Sequence, residues 1–431
     1  MPAPPVSSHE GPTMKSRILR TGALLTTVVA SAALLTGCAG GAGSDGAIQM
    51  QTGFAQGTDQ LKTLTSLTEA YEKANPDVKI DLIPSSTQYE QDLKVKLASR
   101  DVPDIWMTHG WSRDRYAQFL APLEDEPWAA KVNPQLDAAM RDGSGAIYAL
   151  PVDTDIAGIL YNADVLRDAG VDPASLTTWD AFDAAAAKIH AKGITVVQVS
   201  GKANGPAGNL VDWIAPGQYT DAQLEGLSGG TFDDGAYTKV LDMIAGWVDA
   251  GYVNPDYSSA TQDDMSKALG AGQAAFVFQQ NSVANNALRT SPDASLGFMP
   301  VPSSTGDPYL IGGEMNAFGV SKTSPHLAQA KAFLSYLAEP GNDAELAAAG
   351  GSAPGLTDAA SDLGPLQGSY DAWVTQAGTP LVPYFDRVHL PNGMWNTLVT
   401  TTDSVITGQS DVTKAVSQVE QDFTSLHGQG K

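Results

Sequence analysis

Eight tryptophans stand in this chain of 431 residues, and three fall in segments that read as loops rather than core. Trp111 follows a short apolar strand, Trp213 lies in a segment flanked by glycine and proline, and Trp395 opens a helix after Pro391-Asn-Gly-Met. An exposed aromatic plane stacks on flat C–H faces, and a planar amide or carboxylate makes paired hydrogen bonds to neighbouring hydroxyls. Together these are the groups that hold a sugar ring. The alternative for each tryptophan is a core position with its indole N–H satisfied. Trp179 follows a helix cap and Trp247 completes an apolar stripe, so both read as structural.

Polar candidates accompany them. Asp153 and Asp155 sit in the stretch Gly145–Asp164, where each carboxylate either accepts hydroxyl bonds or caps a local turn. Gln279 and Gln280 stand at the carboxyl end of an expected strand, Ala274–Phe278. Glu314 follows Gly312-Gly313, and Gly313 would let the backbone approach a ligand closely. His109, in Thr108-His-Gly-Trp111, is either a hydrogen-bonding contact or a satisfied structural group. No catalytic residue stands out: His-Glu-x-x-His and the phosphate-cradling Gly-x-x-x-x-Gly-Lys-Ser/Thr are missing. Six scattered histidines and one cysteine give no metal site, and no cofactor is implied. A secreted glycoside hydrolase is the rival class, because it needs only two carboxylates and the chain has 48 acidic residues. New reducing ends from oligosaccharides would reveal it. A purely structural or adhesive protein would show no ligand-dependent thermal shift.

The elements that must position these residues alternate. A strand at Ala47–Thr52, a helix from Asp59, a strand around Val78–Leu82, a second helix and the apolar run Val102–Met107 imply a sheet covered by helices. Ligands of such sheets sit at the carboxyl ends of the strands. Helices are expected at Ala163–Ala169, Trp179–Lys192, Ala236–Asp249, Leu327–Ala338, Met394–Thr407 and Asp411–Leu426, and a strand at Thr195–Ser200. Between them, Ala146–Leu150 and Ile156–Tyr161 are strand-forming runs split by Pro151 and three polar residues. Proline removes a ladder donor, so one unbroken central strand is excluded there. The stretch reads as a crossing between two lobes with its polar residues exposed in the gap, or as a tight hairpin in one domain.

Hydrophobic residues make up 42%, enough for a sizeable core, and the formal charge of −23 argues against a nucleic-acid partner. Met14-Lys-Ser-Arg-Ile-Leu-Arg is a basic opening to the apolar run Thr21–Leu35, in the form of a secretory signal, and Met14 reads as the start of translation. The run ends at Leu35-Thr-Gly-Cys38, and Cys38 is the only cysteine. That resembles a bacterial lipoprotein signal, which implies a lipid anchor on Cys38 after removal of residues 1–37 and a flexible tether over 38–46.

Several segments, in order, resemble the sugar-binding proteins of ABC importers, the maltose-binding-protein family. They are Tyr148-Ala-Leu-Pro, Leu160-Tyr-Asn-Ala-Asp-Val-Leu, Gly170, Thr178-Trp-Asp, Ala268–Asn281, Gly297-Phe-Met-Pro-Val-Pro302 and Ile311–Val320. The resemblance implies an α/β, two-lobed periplasmic-binding-protein-like fold of type II, with lobes joined by a hinge of crossover strands. One lobe would hold 47–152 plus 296–338 and the other 156–291 plus 340–431. It implies a monomeric receptor on the outer face of the cytoplasmic membrane that closes on a carbohydrate and delivers it to an ABC permease. Relatives also carry other polar solutes such as a glycerol phosphate. Trp395 falls where the family places a stacking aromatic. Where family members have an aromatic after the segment matching Gln279–Asn281, this chain has Ser282 and Val283, so one stacking platform is in doubt.

Overall fold

Twelve strands form three sheets in the computed structural model, which describes residues 46–86, 89–99, 101–109, 112–202 and 205–429. In chain order the strands are β1 (Ile48–Ala55), β2 (Ile80–Ser85), β3 (Ile105–Thr108), β4 (Leu150–Pro151), β5 (Thr154–Ala157) and β6 (Ile159–Asn162). They continue as β7 (Thr195–Val197), β8 (Ala274–Val277), β9 (Leu296–Met299), β10 (Leu310–Glu314), β11 (Ala317–Val320) and β12 (Leu381–Pro383).

The first sheet has the order β2-β1-β3-β11-β4. β1 runs parallel to β2 and β3, and β11 is antiparallel to β3 and β4. Parallel strands need a crossover, and the helix Asp59–Ala74 supplies it between β1 and β2. Thr58 caps that helix by accepting from the Leu61 N–H, and Leu61, Leu64, Leu67 and Tyr71 turn inward. They pack with Met50, Ile105, Phe318 and Phe333 in one core.

The second sheet has the order β7-β8-β6-β9. Helices Trp179–His190 and Asp234–Asp249 cover it, burying Phe182, Ile189, Val240, Ile244 and Trp247. Phe182 lies 4.9 Å from Phe276 of β8, centroid to centroid. Trp179 and Trp247 are core residues, as their spacing implied, and the Trp247 indole donates to Asp183 at 3.1 Å.

The crossing segments build a third sheet of their own, β12-β10-β5. The chain leaves the first sheet at β4, pairs as β5 with β10, and enters the second sheet as β6. It returns by β9 in the second sheet, β10 in the third and β11 in the first. Gly158 makes the first passage possible: a Cβ there would lie 2.0 Å from the Met299 carbonyl oxygen. The Gly145–Asp164 stretch is thus a crossing, not a hairpin. Its polar residues are not exposed, however: Asp153, Thr154 and Asp155 are all buried.

Two segments lie elsewhere than their expected boundaries. The strand Leu296–Met299 belongs with the second sheet, because it pairs with β6 before Pro300 ends the ladder. The return crossing therefore comes at β10. The segment from 340, expected in the second lobe, opens with a helix, Pro340–Gly350, in which Pro340 takes the first position, where a missing N–H costs nothing. Leu346 of that helix joins the first core.

Candidate functional site

The carboxyl ends of β3 in the first sheet and of β8 in the second adjoin the crossing sheet: His109 bonds Met315 O just after β10, and the Asn281 amide donates to Ile156 O of β5 at 3.0 Å. The residues just beyond them carry the polar chemistry.

Gln279 and Gln280 follow β8 as expected. Asn209, on the helix Pro206–Ile214, donates its amide to Gln279 Oε1 at 2.7 Å and to Gln280 Oε1 at 3.4 Å. Gln279 and Asn209 are buried and Gln280 is half-buried, so a row of amides leads from the core to the surface. Planar amides held this way offer fixed donors and acceptors. Trp395 is half-buried at the start of the helix Met394–Ile406, with its six-membered ring edge against Gly205 and Gly208 at the start of the helix that bears Asn209. The stacking candidate and the amide row therefore share one neighbourhood.

Trp213 is different. It is wholly buried in the core of the second sheet, and its indole donates to Gly158 O at 2.8 Å. The flanking glycine and proline that made it look loop-borne belong to a nine-residue helix and the 3-10 turn after it. It is a structural tryptophan.

Asp153 and Asp155 are spent within the crossing. Asp153 accepts from the Asn316 backbone N–H at 2.7 Å and from the Asn316 side-chain amide. Asp155 accepts from the Tyr384 hydroxyl. Burial pushes the Asp155 carboxyl up to about 6, against the pull of the Tyr384 hydroxyl and the Arg387 charge. Arg387 lies 3.9 Å over the Tyr384 ring. Beside it, Asp386 N–H donates to Asp212 Oδ1 at 2.9 Å, and burial followed by the charge of Asp386 holds Asp212 well above the usual carboxylate range. These groups brace the crossing rather than present free acceptors.

Gly313 pairs with Asp155, and a Cβ there would meet the Tyr384 ring at 3.5 Å, an ordinary contact. The glycine demanded by packing is Gly312, where a Cβ would fall 2.5 Å from Leu381 Cδ1. Gly313 instead lines a small cavity of about 60 Å³ with Tyr384, Arg387, Gln135 and Ala139. Glu314 pairs with Thr154 in the ladder, and its side chain lies outside the described residues. Half-buried His109 donates from Nδ1 to Met315 O at 3.0 Å, which ties the end of β3 to the start of β11. Trp111 and Cys38 lie outside the described residues.

A groove of about 750 Å³ runs between the segment Gln56–Gln60, which leads from β1 into the helix Asp59–Ala74, and the helix Ser282–Thr290, after β8. Asn285, Asn286 and Arg289 line one side and Gly350 and Gly351 part of the floor. Ser282 opens onto it, whereas Val283 is buried, so no aromatic stands at this end.

Asn209, Asn316, Tyr384 and Arg387 were not singled out from the sequence. Asn209 alone had a signal, as a polar residue in a segment already suspected of bearing a contact. Gly226-Leu-Ser-Gly-Gly230 has the spacing of a nucleophile elbow, but it ends the helix Asp221–Ser228, and Ser228 donates back to Leu224 O at 3.3 Å. An elbow needs a strand before its serine. Among the described residues no group of His, Cys, Asp or Glu side chains is placed to hold a metal ion, and no helix is long and apolar enough to cross a membrane.

Residues 55–344 match the profile of the bacterial extracellular solute-binding proteins. The chain belongs to that family. Solute-binding proteins of this kind share the type II fold, and the three-sheet architecture follows it. A putative binding protein, MsmE, from Bacillus subtilis in an open conformation superposes with a TM-score of 0.81 at 26% identity, over 89% of this chain and 98% of that one. A sugar transporter from Bacillus licheniformis in complex with stachyose gives a TM-score of 0.74 at 30% identity, over 88% and 100%. The melibiose/raffinose/stachyose-binding protein MelE of Bacillus subtilis (strain 168) is 29% identical over 347 residues, 78% of this chain and 80% of its own. The family consists of substrate-binding proteins of ABC transporters, and its members work outside the cytoplasm.

Proposed function

We propose that this solute-binding protein is the carbohydrate receptor of an ABC importer, with an oligosaccharide of the melibiose, raffinose and stachyose group as ligand. One lobe is built on β1–β4 and β11, the other on β6–β9, and the crossing sheet is the hinge. A sugar bound between the lobes favours the closed form by the contacts it makes only there. Trp395, with part of its ring open beside the Asn209, Gln279 and Gln280 amides, is the observation that carries the reading. The names of two similar proteins, one of them bound to stachyose in its structure, support the choice of sugar. His109 belongs to the opposing wall in this reading, and Trp111 and Glu314 are proposed as further contacts from their sequence positions alone. Cys38 carries the lipid anchor, and the receptor acts as a monomer at the outer face of the cytoplasmic membrane.

Titration calorimetry with melibiose, raffinose, stachyose, maltotriose and glycerol 3-phosphate tests it. Saturable heat with raffinose or stachyose is expected. Heat with glycerol phosphate alone would make this a receptor for another polar solute, and release of reducing ends would make it an enzyme. Cys38→Ser should release the protein from membranes.

A further inference from the structure

Trp395 is seated in a notch that two glycines leave open. A Cβ at Gly208 would stand 3.0 Å from Cη2 and 3.1 Å from Cζ3 of Trp395, and 2.8 Å from Cγ2 of Val399. A Cβ at Gly205 would stand 3.6 Å from Cζ2, and the backbone there has φ +134°, a region that disfavours side chains. All three atoms lie on the six-membered ring of the indole, so that end of the side chain fills the notch. Gly208 is the third residue of the helix Pro206–Ile214, and glycine is unfavourable inside a helix. Ala207 beside it packs its side chain into the core. The close approach of Trp395 and Val399 explains the exception.

The next residue, Asn209, bonds Gln279 and Gln280. One helical turn thus fixes both the edge of the stacking plane and the anchor of the amide row. A binding site tolerates about 0.5 Å of misplacement before its contacts loosen, and an added methyl would displace the indole on that scale.

We infer that Gly208, assisted by Gly205, is a positioning residue that sets the place of the Trp395 ring relative to the Asn209–Gln279–Gln280 amides and so selects the oligosaccharide. The inference rests on reading Trp395 as the stacking plane. The mature protein is compared with Gly208→Ala, Trp395→Ala and the double variant, using raffinose and stachyose in calorimetry. Gly208→Ala should weaken binding about tenfold or more in the native background and leave it unchanged when Trp395 is already alanine. An equal loss in both backgrounds, or no loss in the first, overturns the inference. Trp395→Ala without effect overturns instead the reading of Trp395.

A ligand-free arm stands beside it. The fluorescence difference between native protein and Trp395→Phe isolates the Trp395 signal, and Gly208→Ala should make that signal more quenchable by acrylamide. Unchanged quenching shows that the seat does not matter. Gly208→Ala with Val399→Ala relieves the second contact and provides a folded variant if the single one is unstable.

Discussion

The Tyr384 hydroxyl reaches Asp155 across the full width of the three-stranded crossing sheet. Tyr384 follows the edge strand β12, Asp155 lies on the opposite edge strand β5, and Gly313 of β10 passes beneath the tyrosine ring. Both partners are within 2% of complete burial, so neither can exchange the bond for water without the sheet opening.

Loss of that bond should be felt most when Asp155 is charged. Its carboxyl sits at about 6 in the folded protein against 3.8 ordinarily, raised by burial and held down in part by Tyr384. Stability from this group is full below about pH 4 and is lost as pH rises through 6. Tyr384→Phe should cost about 1–3 kcal/mol at pH 7.5, where a buried carboxylate is left short of a donor, and less at pH 5, where the carboxyl is protonated. Urea unfolding at both pH values measures this, and an equal cost at the two would refute it.

Asp343 offers a second, separable titration. It is fully buried on the helix Pro340–Gly350, Oδ2 accepts from Leu356 N–H at 3.3 Å, and Oδ1 has no protein partner. Burial, with Asp153 nearby, pushes it up to about 8. Being raised, it stabilises most below about pH 4 and progressively less up to pH 8, at roughly 1.4 kcal/mol per unit. Asp343→Asn cannot ionise, so its stability relative to the native protein should rise between pH 5 and pH 9. Parallel unfolding curves across that range would show that the group does not titrate as described.

The fold was readable because its signals are local. Thr178 caps its helix as expected, the first helix begins at Asp59, and the apolar run Ala274–Val277 is buried on both faces as a central strand should be. Pro151 made a break in the strand readable but left a crossing and a hairpin equally open, and the pairing of β4, β5 and β6 in three different sheets decides between them. The consequences of the crossing were not readable. Whether Asp153 and Asp155 face solvent depends on Asn316 and Tyr384, which lie 163 and 229 residues away in sequence. Trp213 and Trp395 looked alike for the same reason. Each sits near glycine and proline, and only the long-range contact with Gly158 distinguishes the core residue from the half-exposed one.

That distinction predicts opposite phenotypes. Trp213→Phe removes the donor to Gly158 O and leaves unfilled volume in a sealed core, so it should destabilise the free protein by about 2 kcal/mol or more. Affinity for sugar should change little once the fraction folded is taken into account. Thermal unfolding and calorimetry on the same sample decide the matter, and a large loss of affinity with an unchanged melting temperature would return Trp213 to the site.

Gly158 gives the sharpest test of the crossing itself. It is the single residue between β5 and β6, and the Met299 carbonyl of β9 comes so close that a Cβ would overlap it at 2.0 Å. A backbone carbonyl cannot swing aside as a side chain can. Gly158→Ala must therefore separate β6 from β9, or push β5 away from β10, and the cost should exceed the 1–3 kcal/mol typical of an overpacked core. The Gly158 carbonyl also holds the Trp213 indole, so the same displacement should shift the tryptophan emission of the ligand-free protein. Gly145→Ala is the control: it lies on an exposed turn at φ +87° with nothing near its Cβ, so it pays backbone strain alone. If the two variants unfold at the same urea concentration, the close passage at Gly158 is not what joins the second sheet to the third.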